Sequence, residues 1–317
     1  MTVPQPSLAV RLPVPDLRPY AAGGEVPGVW SFAAAAPGPH AVIVSLIHGN
    51  EIAGALVLAR WLERGLRPLR GRLTLVFANL AAFNRFDPAD PTLSRYVDED
   101  LNRLWSPERL AARHDSVELR RARELLPVVE RADVLLDLHS MLWPSEPLIL
   151  AGRPARARDL ACAIGTPCTV VADDGHPEGP RLIDYVPFAS QDGRATAALV
   201  EGGMHWEPET PAVLDSSAIR LLGRLGMWPG VSAPPVPPPT AWEVTRTVVA
   251  ATRHFAFAAG LRGGDVVPRA GTLIAQDGEA EIRTPHDDCL LVMPSPRVMR
   301  GHTAVRLARR ICAGDPG

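Results

Sequence analysis

The chain has 317 residues, of which 46% are hydrophobic and 21% charged, with a formal net charge of -2. That composition is globular, the length suits one large domain plus a smaller appendage, and no apolar run approaches the ~18 residues of a membrane span. The near-neutral charge excludes the basic footprint of a nucleic-acid or anionic-membrane binder. All 33 basic residues are arginine, which also excludes mechanisms built on a reactive lysine. A small-molecule or peptide substrate is the expected partner. The proline-interrupted start MTVPQPSLAV lacks the pattern of a secretory signal, so a cytoplasmic setting is expected.

The first strong element is AVIVSLI (41–47), a β-branched apolar run that ends in HGNE and reads as a buried strand of a parallel sheet. IAGALVLARWLERGL (52–66) follows with apolar residues at helical spacing. RLTLVFANL (72–80) predicts a strand, VELRRARELLPVVERA (117–132) a helix interrupted at Pro127, and ADVLLDLHS (132–140) another strand. PLILA (147–151), CTVVA (168–172) and TAALVE (196–201) read as further strands, and SSAIRLLGRLGMW (216–228) as a helix. This alternation predicts an α/β fold, a mainly parallel or mixed sheet with flanking helices. Residues 229–239 hold six prolines and read as a stiff linker, after which 240–317 is β-rich. The expected organisation is therefore a catalytic domain at 1–228, a linker at 229–239 and a small all-β domain at 240–317. Cys162, Cys168, Cys289 and Cys312 show no metal-binding spacing and read as buried small residues.

His48 and Glu51, in HGNE, follow one predicted strand, and His139, in DLHS, ends another. Sites in α/β proteins gather at such strand ends. Two imidazoles and a carboxylate suit zinc and leave a fourth position for water, as a catalytic rather than a structural site requires. A lone histidine there is more often hydrogen-bonded structure; the paired occurrence of H-x-x-E and D-L-H carries the inference. HExxH is absent. Glu201 ends the apolar strand TAALVE and is the candidate general base, able to take a proton from water and pass it to a leaving amine. Gly202 and Gly203 after it read as a small turn that keeps space beside the carboxylate. Asp137, two positions before His139, is a candidate orienting carboxylate.

In order along the chain, HGNE, SRYVDEDLNRLW (94–105) and LLDLHS (135–140) resemble the succinylglutamate desuccinylase/aspartoacylase family, relatives of the zinc carboxypeptidases. VEGGMHWE (200–207) looks like that family's glutamate-bearing strand end, and the β-rich tail like its C-terminal domain. The resemblance implies a zinc-carboxypeptidase-like fold and one zinc per chain. It also implies that Arg95 polarises the scissile carbonyl, and that Asn102 with Arg103 grips a free carboxylate on a small substrate. Asp98 and Asp100 flank these cations as orienting partners or as solvated acids. His205, Trp206, Met141 and Trp143 suit an acyl pocket and core packing equally.

The expected function is zinc-dependent hydrolysis of the amide of a small N-acyl amino acid. The alternatives are a zinc carboxypeptidase acting on short peptides and, from another class, a catalytically silent metal-binding or sensing protein. The three tyrosines, Tyr20, Tyr96 and Tyr185, all precede residue 240, whereas aspartoacylases proper use a tyrosine from the C-terminal domain; this counts against N-acetylaspartate. Arg181 is not set apart from an ordinary surface arginine by its spacing. The Gly-rich tail resembles a lipoyl or biotin carrier but has no lysine to modify. The sequence is compatible with homo-oligomerisation.

Overall fold

The computed structural model describes residues 8–229, 237–258 and 260–311; most of the proline-rich stretch, and Cys312, lie outside the described residues. In chain order the strands are β1 (Val29–Ala33), β2 (His40–Ser45), β3 (Arg72–Phe77), β4 (Val134–Met141), β5 (Leu148–Ala151), β6 (Thr169–Ala172) and β7 (Thr196–Met204). After the proline-rich stretch come β8 (Thr240–Val249), β9 (Phe255–Phe257), β10 (Val266–Val267), β11 (Leu273–Asp277), β12 (Ala280–Arg283), β13 (Cys289–Val292) and β14 (Thr303–Arg310). The longer helices are α1 (Ile52–Glu63), α2 (Val117–Val129), α3 (Ala155–Ile164) and α4 (Thr210–Arg224).

One mixed sheet runs in the order β1-β3-β2-β4-β7-β5-β6-β8-β14-β13-β10. Strands β3, β2, β4 and β7 are mutually parallel, with β1 antiparallel at one edge and β5 antiparallel to β7. Beyond β6 the sheet continues: β8 pairs with it in parallel, Thr169 opposite Thr240 through Ala172 opposite Glu243. The C-terminal strands are therefore hydrogen-bonded to the α/β part, and the small sheet β12-β11-β9 packs on them around Val248, Ile274, Leu291 and Val305.

Side-chain alternation explains the layers. Along β2, Ala41 and Ile43 join a core with α1, α3 and α4, whereas Val42 and Val44 join the opposite core with α2. A strand covered on both faces must be apolar at every position, and AVIV is. Helix α2 runs through Pro127 to Val129 rather than breaking there, because the proline falls in the last turn, two residues from the end, and costs only one interior hydrogen bond. Helix α4 begins six residues before the apolar pattern, with Pro211 in its first turn, where a missing N–H is harmless. No helix among the described residues is long and apolar enough to cross a membrane.

Candidate metal-dependent active site

The parallel strands deliver their C-terminal ends to one place. After β2 the chain turns at Leu46, whose φ is 58°, and runs into His48, Gly49, Asn50 and Glu51 before α1 begins. Gly49 has no alternative here. A Cβ on it would lie 2.5 Å from the backbone of Ala82, Phe83 and Ser94 alike, and its N–H donates to the carbonyl of Arg95 at 3.0 Å. The bare glycine lets the histidine-bearing turn pack against the loop that carries Arg95. That loop is held from below by Glu118 of α2, a fully buried carboxylate that accepts the backbone N–H groups of Val97 at 2.7 Å, Asp98 at 3.0 Å and Glu99 at 3.2 Å.

His48, Glu51 and His139 are buried, and their ligand atoms all lie within 4.8 Å of one another. Both imidazoles turn Nδ1 toward the same carboxylate: His48 Nδ1 is 2.6 Å from Glu51 Oε1 and His139 Nδ1 is 3.1 Å from Oε2. Each Nε2 faces another acid, Asp100 at 3.0 Å for His48 and Asp137 at 2.9 Å for His139. Carboxylates behind histidines fix tautomer and ring orientation at metal sites. Burial alone would raise the Glu51 carboxyl, but the charge of the two imidazoles and their hydrogen bonds outweigh it and hold it well below its ordinary range. Two nitrogens and one oxygen, inward-facing and backed by acids, could hold a metal ion.

Around them a cavity of about 190 Å³ is lined by Arg95, Asn102, Arg103 and Glu201, among others. Glu201 stands opposite His139 in the β4/β7 register, and its Oε2 is buried without a hydrogen-bond partner. Burial pushes its carboxyl up to about 8, with Glu51 and Asp137 adding to the rise and His139 and Arg95 opposing it. Gly202 and Gly203 do not form a turn, because β7 continues to Met204. A Cβ on Gly202 would meet the Leu214 side chain at 2.6 Å, so the missing side chain makes room for α4 rather than for substrate. Arg95 donates to Asp100 Oδ2 at 2.9 Å and lies 3.7 Å from Glu51 Oε1. Asn102 accepts from the backbone of Leu182 through its Oδ1 at 2.8 Å, leaving the NH2 end to face a ligand. Arg103 donates to the Asn102 carbonyl at 2.7 Å, while its Nε is buried and unpartnered.

The sequence model of the succinylglutamate desuccinylase/aspartoacylase catalytic domain matches residues 37–166, the stretch that carries His48, Glu51 and His139 together with Arg95, Asn102 and Arg103. Over that stretch the chain resembles this family's catalytic domain. An N-acyl-aromatic-L-amino acid amidohydrolase (carboxylate-forming) of Xenopus laevis is 34% identical over 113 residues, which are 33% of this chain and 35% of that protein. Succinylglutamate desuccinylase of Pseudoalteromonas atlantica is 30% identical over 135 residues, 38% of this chain and 37% of that one. The matched stretch thus spans about a third of the length of these curated relatives. Among solved structures, succinylglutamate desuccinylase of Vibrio parahaemolyticus superposes with a TM-score of 0.68 over 90% of this chain and 87% of that one, at 18% identity. A succinylglutamate desuccinylase/aspartoacylase of Rhodobacter sphaeroides does so with a TM-score of 0.67 over 92% and 90%, also at 18% identity. These likenesses establish a shared fold that extends through the C-terminal strands.

Several family-site neighbours were not visible in the sequence. Arg181, an ordinary surface arginine by its spacing, is buried, with its guanidinium bound to both Asp173 and Asp184. Arg306 enters the cavity from β14, and His176 from the loop after β6. A cation inside the apolar run AVRLA was a readable signal for Arg306; His176 had none. His205 lines the cavity beside Met141 and Trp143, bonding Ser140 Oγ through Nδ1 at 2.8 Å, while Trp206 sits in the core and donates to the Asn50 carbonyl at 3.0 Å. Asp98 faces away, accepting from Val117 N at 2.8 Å at the start of α2.

Proposed function

We propose that this protein hydrolyses the amide bond of a small N-acyl amino acid, or a related carboxylate-bearing amide, with one zinc ion per chain held by His48, Glu51 and His139. The observation that carries the reading is the meeting, in one cavity, of that donor set with Glu201, Arg95, Asn102 and Arg103. Two imidazoles and a carboxylate suit zinc in hydrolytic sites, since they leave a coordination place open. When bound, the ion supplies Lewis acidity that polarises the amide carbonyl and makes water a stronger acid.

The chain's own residues do the rest. Glu201 takes the proton of the attacking water and delivers it to the leaving nitrogen, a role open to a buried carboxylate with a free oxygen. Burial favours its protonated form, and the positive charge of His139 and Arg95 pulls it back toward the carboxylate that a base must be. Arg95, anchored by Asp100, presents a fixed cation to the carbonyl oxygen as negative charge develops there. Arg103 and the NH2 of Asn102 receive the substrate's carboxylate.

A carboxypeptidase acting on short peptides would use the same groups. The volume of about 190 Å³ favours the smaller substrate, being below the ~300–1,000 Å³ of pockets that enclose drug-sized ligands. The cytoplasm is taken as the place of action. The test is a hydrolysis screen of purified zinc-loaded protein against N-acetyl, N-succinyl and longer N-acyl amino acids with dipeptides alongside. Turnover of acyl amino acids is expected. Faster cleavage of dipeptides, or no cleavage of any acyl amino acid, would overturn the reading.

A further inference from the structure

His205 is an imidazole in the cavity wall that the chemistry above leaves unused. It follows directly after β7, is 4% exposed, and is held by three contacts. Its backbone N–H donates to the Met141 carbonyl at 2.9 Å, its Nδ1 is 2.8 Å from Ser140 Oγ, and its ring lies against Trp206 with centroids 5.2 Å apart. The supports are themselves anchored. The Ser140 N–H donates to Glu51 Oε2 at 2.9 Å, and the Trp206 indole donates to the Asn50 carbonyl at 3.0 Å. With Nδ1 engaged, the opposite edge of the ring presents Nε2, which has no hydrogen-bond partner among the described residues.

The surrounding charges place this imidazole at one end of the cavity. Glu51, Arg95, His48 and His139 act on it, whereas Arg103, Arg306, Arg181 and Asp100 act on His176. His205 therefore stands with the metal-binding set and the arginine that faces the carbonyl, away from Arg103. A substrate that reaches from Arg103 to the metal-binding set carries its acyl group beyond the scissile carbonyl, where Ser140, Met141 and Trp143 line the cavity with His205. Burial, reinforced by Arg95, His48 and His139 and opposed by Glu51, pushes the imidazole down to about 4, so it is neutral at ordinary pH. A neutral ring nitrogen donates or accepts according to tautomer, and a hydroxyl satisfies either. A hydrocarbon acyl group would instead expel water from Nε2 and leave it unpaired, which is how a site built for a hydrogen bond rejects an analogue that lacks the polar group.

We propose that His205 is a specificity-determining residue on the acyl side of the cavity, where its Nε2 pairs with a neutral hydroxyl on the acyl chain. The preferred substrate is then an N-hydroxyacyl amino acid, and its hydrocarbon isostere is disfavoured. The assignment rests on the deacylase reading for the direction in which the substrate lies.

The test uses the full zinc-loaded chain and two isosteric pairs of amides of L-alanine, hydroxyacetyl against propanoyl and 3-hydroxypropanoyl against butanoyl. In at least one pair kcat/KM is expected to favour the hydroxyacyl member about tenfold or more, as a hydrogen bond left unmade at a buried group costs. His205→Phe keeps a ring against Trp206 but removes both nitrogens, and the preference should shrink to about threefold or less. Ser140→Ala, which frees Nδ1 and with it the aim of Nε2, should lower the same ratio at least about threefold and serves where His205→Phe does not fold. A loss of general structure would instead lower both members of a pair alike. A wild-type preference below about threefold in both pairs overturns the proposal without recourse to a variant, and so does an unaltered ratio in a folded variant of either kind. Cleavage of all four amides without preference keeps the deacylase reading and removes the His205 site. If none is cleaved the deacylase reading falls, and calorimetric titration of the same pairs reads the ratio as affinity: tighter binding of a hydroxyacyl member keeps the His205 site, and equal binding removes it as well.

Discussion

Gly49→Ala places one methyl group at the joint between the His48–Glu51 turn and the Arg95 loop. Its Cβ would start 2.5 Å from three backbone atoms, those of Ala82, Phe83 and Ser94. Each contact must open by about 1 Å to reach the ~3.5 Å at which carbon atoms rest. No side-chain rotation can relieve it, because every atom involved is main chain and the three belong to two separate segments. Overpacking of this kind costs about 1–3 kcal/mol, which at about 2–4 °C per kcal/mol lowers Tm by several degrees. The larger effect is on the site. His48 and Glu51 move with the turn, while Arg95, whose carbonyl accepts the Gly49 N–H, moves with the loop. A displacement near 1 Å between catalytic groups costs on the order of 10²-fold in turnover. Gly223→Ala is the control, since nothing lies within 4 Å of its Cβ and it sits inside α4, where alanine is favoured. Thermal unfolding and kcat on the best acyl amino acid are the measurements. If Gly49→Ala kept kcat within about threefold of wild type and melted no lower than Gly223→Ala, the coupling of turn and loop through this glycine would be refuted.

Glu201→Gln should keep metal content and substrate binding yet lower kcat at least ~10²-fold, measured by steady-state kinetics beside metal analysis; near-normal kcat would remove its role as base. Arg103→Ala should raise KM more than it lowers kcat for carboxylate-bearing substrates, and an unchanged KM would withdraw the clamp. Asp137→Asn, which replaces the acid behind His139 Nε2, should weaken metal affinity about 10–100-fold in a chelator competition while leaving the fold intact; undiminished affinity would mean that His139 needs no such support.

What the sequence shows of the site follows from where each residue stands on its strand. His48, Glu51, His139 and Glu201 each end or follow an apolar run, and a polar residue at such a punctuation mark is conspicuous without knowledge of the neighbours. Arg95, Asn102 and Arg103 were reached through resemblance to a family, because the loop that presents them is shaped by Glu118, a helical residue with no local mark. Helix α3 was missed although Pro154 and Gly165, whose φ is 68°, bracket it, since its buried stripe is made of the small residues Ala157 and Ala161 with only Ile164 as a large apolar side chain. Arg306 stands out within its apolar run, but its place in the cavity depends on β8 pairing with β6 and β14 with β8, contacts between residues far apart in sequence that no local pattern announces. Arg181 passed for a surface residue because Asp173, the acid that accompanies it into the interior, becomes its partner only once the loop after β6 folds back, whereas Asp184 is a local partner three residues on.

The continuity of the sheet across β6 and β8 bears on how the protein tolerates being shortened. A chain cut at the proline-rich stretch would still carry every proposed catalytic group, but β6 would keep only β5 beside it, leaving the main-chain N–H and C=O groups of the apolar segment Thr169–Ala172 that face β8 unpaired at an open margin. Bare edges of this kind recruit strands from other molecules. Such a fragment is expected to associate and precipitate, and the C-terminal strands serve in part as the guard that keeps the α/β layer from meeting its own copies.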